Sequence, residues 1–540
     1  MGSIKKFSKI GVFYSGNKAR LLLVLLIPLV LLAPYIAGSL FSGDTFFTGY
    51  LMNAHDQNIY YSFMKQAQDG HIRFLNLSCD IPHEREYIHT LFLLLGGISG
   101  LLNLPLWLVY LVSKYIFSVL FGFAAWAMLK KVVSGGWLTT GLLAVMLGSG
   151  FGLFGKIFSL ISGIEVSGEA MSSFPGDLWM PEMTVWNSIN YTPLFIWSYL
   201  LIVLIYGGIY FGEKKESFKP FLVSAGSVFL IGLSHSYDLV PIAFISFALF
   251  LLFRFFKSWP FKQRVFWGYS AYGVLFFATL LYQYYVLKTN AGFSLWAEKN
   301  VNLPPNFIVI LMGFGLLSLG YVECILRVFK FKQMSLELKF MAIWLLLQTA
   351  LMYSPFAFSR RFILGISVPL AVFFVLFLKR LPNTKLPPKI SYTLCGLLLC
   401  ITFLTPAYQV AANFGKVVIR DSRFFYSQEA YSAYSYISNN LTEEDTLLSG
   451  IKESNRALRF SSAPVSAGST QQTPEDVRNK VEVLFSQAGG ELDNFVQNRG
   501  ISHILCNKSE HKAFLNKNKG FLSKNDVVFE NDLYIVYEVM

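Results

Sequence analysis

Charge is scarce in this chain. Asp, Glu, Lys and Arg make up 14% of its 540 residues, against 54% hydrophobic residues and a mean hydropathy of +0.48. Ordinary soluble domains carry about 25% charged residues, so this composition excludes a water-soluble globule. Cysteine is scarcer still: five residues and no Cys-x-x-Cys, which excludes a disulfide framework. Cys324, Cys395 and Cys400 fall in apolar stretches and read as packing residues. Only Cys79 and Cys506 lie outside them, where a bridge between the two is conceivable. His-Glu-x-x-His, a phosphate-cradling P-loop and Gly-x-Ser-x-Gly are all absent, so nothing supports a nucleotide cradle or those hydrolytic centres. There are no repeats and no low-complexity tract.

What is present is a regular alternation. Of the 45 Lys and Arg residues, 22 fall into six short clusters: Lys5 to Arg20, Lys130-Lys131, Lys214 to Lys219, Arg254 to Arg264, Arg327 to Lys339, and Lys379 to Lys389. Between them lie apolar stretches, and a spanning helix needs about 20 apolar residues to cross roughly 30 Å of hydrocarbon. Eleven stretches qualify: 21–41, 107–129, 137–160, 191–212, 219–235, 238–256, 265–287, 305–328, 338–354, 362–379 and 390–410. Short loops rich in Lys and Arg stay cytoplasmic. With the N-terminus inside, all six clusters become cytoplasmic, and all seven histidines fall on the other face. The formal charge of +13 therefore reports topology and gives no support to nucleic-acid binding. The first stretch is too long for a removable signal peptide and reads as an anchor.

Residues 88–103 are apolar but short, with Gly96-Gly97 and a following Pro105. Counted as a span they would move every later basic cluster outside, so they read as a helix in or dipping into the outer interface. Residues 1–410 thus form a polytopic α-helical membrane domain. Residues 411–540 carry 14 basic and 16 acidic residues and no long apolar run. Helical patterns at 427–440 and 474–499 alternate there with β-like runs at 446–451, 501–506 and 526–539, the last a hairpin around Glu530-Asn531-Asp532. This is a small extracytoplasmic α/β domain.

Polar residues concentrate in the outer loops. The first, 42–106, holds His55-Asp56, with Tyr60 four residues on and Phe63 seven on, one face of an amphipathic helix. The second, 161–190, supplies Glu165, Glu169, Asp177 and Glu182 with no Lys or Arg; Glu182 lies nearest the next span. The turn Gly-Leu-Ser-His-Ser-Tyr-Asp places His235 and Asp238 at the outer boundary, able to bind a phosphate or sugar hydroxyl or to cap the next helix. Arg360-Arg361 breaks the charge pattern as a basic pair on the outer side. Arginine suits bidentate phosphate binding, and ionisable groups near membrane depth invite a functional reading.

A long first outer loop whose Asp-x-x-x-Tyr helix follows the first span resembles the GT-C superfamily of membrane glycosyltransferases. The outer loops and extracytoplasmic C-terminal domain extend that resemblance as architecture. Neither a consecutive Asp-Glu pair nor a Trp-Trp-Asp signature occurs. The resemblance implies a polyprenyl-phosphate-linked sugar donor, a carboxylate that takes the acceptor's proton or helps hold Mg or Mn, and an acceptor glycan, lipid or protein. Asp56 is then the base or metal ligand, with Glu182 a second catalytic carboxylate. Arg360, Arg361, His235, His55, Tyr60 and Asp177 form the substrate-binding set. The expected location is a bacterial or archaeal plasma membrane. Asp56 could instead be a helix cap or a solvated charge, and the arginine pair could bind lipid headgroups. A non-enzymatic lipid or polysaccharide transporter, or an envelope assembly factor, is the competing class. A transporter should line its spans with charge, whereas Lys114, Lys156 and Glu323 are the clear charges within spans and none has a partner evident in the sequence.

Overall fold

The computed structural model describes residues 17–256, 262–383, 386–486 and 492–540. Lys5, Lys6 and Lys9 of the first basic cluster, Lys257 and Lys385 lie outside the described residues. The chain is mostly helical, and among the described residues eight helices are long and apolar enough to cross a membrane: Asn17–Leu40, Leu106–Leu129, Gly136–Ser162, Pro193–Lys215, Ser236–Phe255, Gln263–Thr289, Phe307–Val328 and Pro388–Val418. These match eight of the eleven expected spans. The other three are the shorter helices Phe218–Ser234, Leu336–Met352 and Ser367–Arg380, of 17, 17 and 14 residues. Hydropathy reports what a stretch is buried in, not where its helix stops. The protein is an integral membrane protein.

The chain divides into two compact units. The first comprises residues 1–34, 112–280 and 302–415. The most deeply buried of the eight spans, Pro193–Lys215, packs on Phe218–Ser234. Gly208 permits that close crossing, because a Cβ there would meet Ser224 Oγ at 2.2 Å and Pro220 O at 2.5 Å. Leu319–Val328 packs on Ser367–Arg380, and Leu239–Phe256 on Leu336–Met352.

Polar contacts link described members of the basic clusters to one another within this unit. Arg20 donates to Gly135 O at 2.8 Å, close in sequence to Lys130-Lys131, and Lys131 lies over Phe211. Glu213 pairs with Arg254, and Lys214 with Glu337 at 2.5 Å. Glu323 pairs with Arg327 at 2.5 Å and Arg380 at 2.8 Å. Glu323 is thus not solitary as expected: one partner sits four residues on along its own helix, the other on the packed neighbour. Lys114 is held as well, donating to Asn190 O at 2.9 Å.

The second unit comprises residues 35–111, 281–301 and 416–540. Strands β1 (Phe46–Phe47) and β2 (Phe425–Tyr426) pair antiparallel. The main sheet runs β3 (Leu447–Leu448), β4 (His503–Asn507), β6 (Tyr534–Glu538), β5 (Asp526–Glu530). β3 is parallel to β4 and the rest are antiparallel, with the expected β5–β6 hairpin. Helices Gln428–Asn440, Glu475–Ser486 and Leu492–Arg499 lie within the two predicted helical regions. Val481, Phe485, Val496, Ile504 and Phe514 are among the buried residues of its core. The helix Thr90–Leu102 has 13 residues, about 20 Å at 1.5 Å per residue, and falls short of a roughly 30 Å core. It packs on Ala54–Gln68 through Gly96, where a Cβ would meet Met64 O at 2.2 Å. All five cysteines are free, so Cys79 and Cys506 do not form the bridge that was conceivable. Both are buried, Cys506 within β4.

Candidate active site

The expected site residues fall into two groups, one in each unit. In the first unit the turn Ser359–Ile363 carries Arg360 and Arg361. Gln348, buried on the Leu336–Met352 helix, anchors its backbone: the side-chain amide donates to Phe362 O at 2.8 Å and also to Leu364 O. Trp344 Nε1 in turn donates to Gln348 Oε1 at 2.6 Å. Arg360 N donates to Asn302 O at 3.0 Å. Gly365 leaves the turn with φ +102°, a conformation that glycine adopts without a Cβ penalty.

Around that turn sit three other expected residues or their neighbours. Arg360 Nη2 lies 3.8 Å from Glu182 Oε1, and its guanidinium is 5.5 Å from the Trp179 ring centroid. Arg361 lies 4.9 Å over Tyr237, one of the two residues between His235 and Asp238. His235 Nδ1 is 2.8 Å from Asp238 Oδ2, both side chains nearly fully buried. Asp238, which could have been a helix cap, thus uses its carboxylate to hold the imidazole. With Nδ1 donating to that carboxylate, Nε2 becomes an acceptor, and it is buried without a hydrogen-bond partner. Glu182 Oε2 is likewise buried and unpartnered. Tyr199 OH fixes the backbone here, donating to Glu182 O at 3.0 Å and accepting from Ser367 Oγ at 3.1 Å. The result is two arginines held by aromatic faces beside a carboxylate and a histidine, with unsatisfied acceptors: chemistry suited to an anion bearing hydroxyls.

Asp177 stands apart from this cluster in its bonding. Its Oδ2 accepts from Ser149 Oγ at 2.7 Å, Gly150 N at 3.0 Å and Gly152 N at 3.2 Å. It therefore closes the break between the helices Gly136–Leu147 and Gly152–Ser162 and satisfies N–H groups where the second begins. Complete burial still raises its carboxyl to about 6, outweighing those three bonds.

In the second unit Asp56 occupies the third position of the Ala54–Gln68 helix. The N-cap is Asn53: its Oδ1 accepts from Asp56 N, while its Nδ2 donates to Asp56 Oδ2 at 2.8 Å. That is a reciprocal capping arrangement, and the helix dipole favours an acid there. Asp56 remains about one-third exposed, with His55 Nδ1 at 3.6 Å from its Oδ1. His55 O accepts from Asn455 Nδ2 at 3.1 Å, and Asn455 Oδ1 accepts from Asn58 at 3.0 Å. Tyr60 stacks on Phe92 at 4.9 Å. Among the described residues no three His, Cys, Asp or Glu side chains gather as ligands for one metal ion. Asp56 with His55 offers two donor groups, short of a complete protein ligand set.

Trp179, Tyr237, Tyr199, Gln348 and Asn455 were not singled out from the sequence. Tyr237 adjoins two residues that were, so proximity alone could have raised it. Gln348, an amide inside an apolar helix, was the clearest overlooked signal, since a buried polar group must find partners.

No protein-family profile and no curated protein matches the sequence. Solved structures do match in three dimensions. The Archaeoglobus fulgidus oligosaccharyltransferase in its apo form aligns over 93% of this chain and 71% of its own, at TM-score 0.55 and 10% identity. ArnT from Cupriavidus metallidurans bound to undecaprenyl phosphate aligns over 97% of this chain and 98% of its own, at TM-score 0.54 and 11% identity. The apo form of ArnT gives TM-score 0.52 over 95% and 97% of the two chains. The chain therefore has the GT-C fold seen in those structures.

Proposed function

We propose that the protein is a membrane glycosyltransferase that moves a sugar from a polyprenyl-phosphate-linked donor to an extracytoplasmic acceptor. The observation that carries this reading is the Arg360-Arg361 turn with Glu182, Tyr237 and His235 around it, in a fold shared with an enzyme solved with undecaprenyl phosphate. In the reaction, the acceptor hydroxyl loses its proton to the Asp56 carboxylate as its oxygen attacks the anomeric carbon. The bond from that carbon to the phosphate oxygen breaks, and polyprenyl phosphate departs with the electron pair. Arg361 and Arg360 stabilise the charge gathering on the leaving phosphate. Glu182 orients Arg360, and the free faces of Glu182 and His235 Nε2 accept sugar hydroxyls. A divalent cation, if bound, would be held by Asp56 and would neutralise charge there.

The transport reading needs charges aligned through the spans. Lys114 and Glu323 are instead bound to fixed partners, which favours an enzyme. The test is sugar transfer by purified protein from synthetic polyprenyl-phosphate sugars, comparing wild type with Asp56→Asn and Arg361→Ala. Turnover in wild type and its loss in both variants is the expected result. Specific lipid binding without turnover from any donor would instead indicate transport or assembly.

A further inference from the structure

The second unit contains an open cleft of about 900 Å³ that belongs to neither group of residues above. Its size falls within the range of small-ligand sites, about 300–1,000 Å³. Two helices form its walls. Glu475–Ser486 presents Asn479 and Lys480 with Val483 and Leu484 one turn on, and Leu492–Arg499 presents Asn494 and Phe495 with Asn498 and Arg499. Each wall thus shows positions i, i+1, i+4 and i+5, a continuous stripe down one helix face. The turn around Asp80 and Pro82 closes the cleft.

Asp80 is the informative residue. Its side chain is only 3% exposed and pairs through Oδ1 with Arg499, yet Oδ2 is buried without a hydrogen-bond partner. A buried carboxylate oxygen left unmatched is costly, and it calls for a donor from whatever enters. The loop that carries it is tightly fixed: Ser78 O accepts from Gly468 N at 3.1 Å and from Thr473 Oγ1 at 2.7 Å. The acceptor is therefore held in place before any ligand arrives.

We infer that this cleft binds a saccharide chain, and that the acceptor of the proposed transfer is accordingly a glycan or glycolipid. The side-chain amides of Asn479 and Asn498 offer paired donors and acceptors of the kind that match neighbouring hydroxyls. Pro82 and Val483, with the part of Phe495 left uncovered by the core and by Arg499, offer apolar surface to the C–H faces of a pyranose. A peptide is less well served. The lining residues lie on two helices and a turn, so there is no strand edge on which an extended chain could add its backbone bonds. The word acceptor rests on the transferase reading; saccharide binding does not.

The experiment is saturation-transfer NMR on the full-length protein in detergent, with maltotriose, chitotriose and mannotriose as probes and a neutral Ser/Gly-rich peptide as the contrast. Saturation transfer to at least one trisaccharide is expected. Asn479→Ala together with Asn498→Ala, both on exposed helix faces, should weaken it roughly tenfold, the loss of one or two hydrogen bonds. Asp80→Asn should also weaken it; because Arg499 would lose its partner there, the amide double variant decides the matter should Asp80→Asn fail to fold. No transfer to any of the three sugars, transfer unaffected by the double variant, or a preference for the peptide would each overturn the inference. Trisaccharide binding in a protein that transfers no sugar would leave the cleft assignment standing and remove the transferase reading.

Discussion

Asp56 and Arg361 can be separated by what their replacement does to the kinetics. Asp56→Asn keeps an oxygen for the Asn53 cap contact but cannot take a proton. It should lower kcat by about 10²- to 10⁴-fold with the fold intact, as loss of a general base does. Arg361→Lys retains the charge but loses the planar fork and much of the contact with Tyr237, so it should fall well short of wild type. Turnover by Arg361→Lys equal to wild type would reduce the arginine to a point charge. Asn455→Ala tests a contact that no sequence signal announced. It removes the bonds to His55 O, Asn58 and Gly468 O, and should destabilise by about 1–3 kcal/mol in denaturant unfolding. The sequence could mark Asp56 because acid and aromatic recur at helical spacing. It could not mark Asn53 as the cap or Asn455, within the Ile451–Ala457 helix, as the strut, because nothing in the sequence separates a solvated asparagine from a buried and bonded one.

Two short turns decide how the elements of the first unit are presented. Asp177 closes the interruption in the Gly136–Ser162 stretch, so the expected substrate contact has a helix-start bonding role in the structure. Its carboxyl is raised from 3.8 to about 6 in the folded protein, so the folded state holds that proton more tightly than the unfolded chain does. That contribution to stability is full below about pH 4 and is lost as pH rises through about 6, a change of about 3 kcal/mol. Asp177→Asn, neutral at every pH, should therefore gain stability relative to wild type between pH 4 and 7. Thermal unfolding at both pH values reads this directly, and a pH-independent difference between the two proteins would contradict it. The Arg360-Arg361 turn depends on Gln348. Gln348→Ala leaves Phe362 O and Leu364 O without their amide donor and should lower Tm while the Leu336–Met352 helix persists. The sequence made the arginine turn legible because it violated the charge pattern. The aromatic partners Trp179 and Tyr237 stayed hidden, since every outer loop contains aromatics.

Over the whole molecule, charge patterning sets the expected topology. Four of the six basic clusters that define the expected cytoplasmic face are joined through Glu213, Glu323 and Glu337. Helix count was less legible, because apolar composition does not fix helix length. The three short helices at Phe218–Ser234, Leu336–Met352 and Ser367–Arg380 show this directly. Orientation is testable in cells with single-cysteine variants in a cysteine-free background. An impermeant maleimide added outside should label Lys512→Cys and spare Lys215→Cys, both at exposed positions; the opposite pattern would invert the topology. The proposed reaction cleaves a sugar–phosphate bond. ³¹P NMR of the purified protein with a synthetic polyprenyl-phosphate sugar and a membrane glycolipid extract follows that bond. The account predicts conversion of the phosphodiester to the phosphomonoester by wild type, and none by Asp56→Asn or Arg361→Ala. A phosphodiester that stays intact with wild type across the donor panel, or equal conversion by all three proteins, would contradict it.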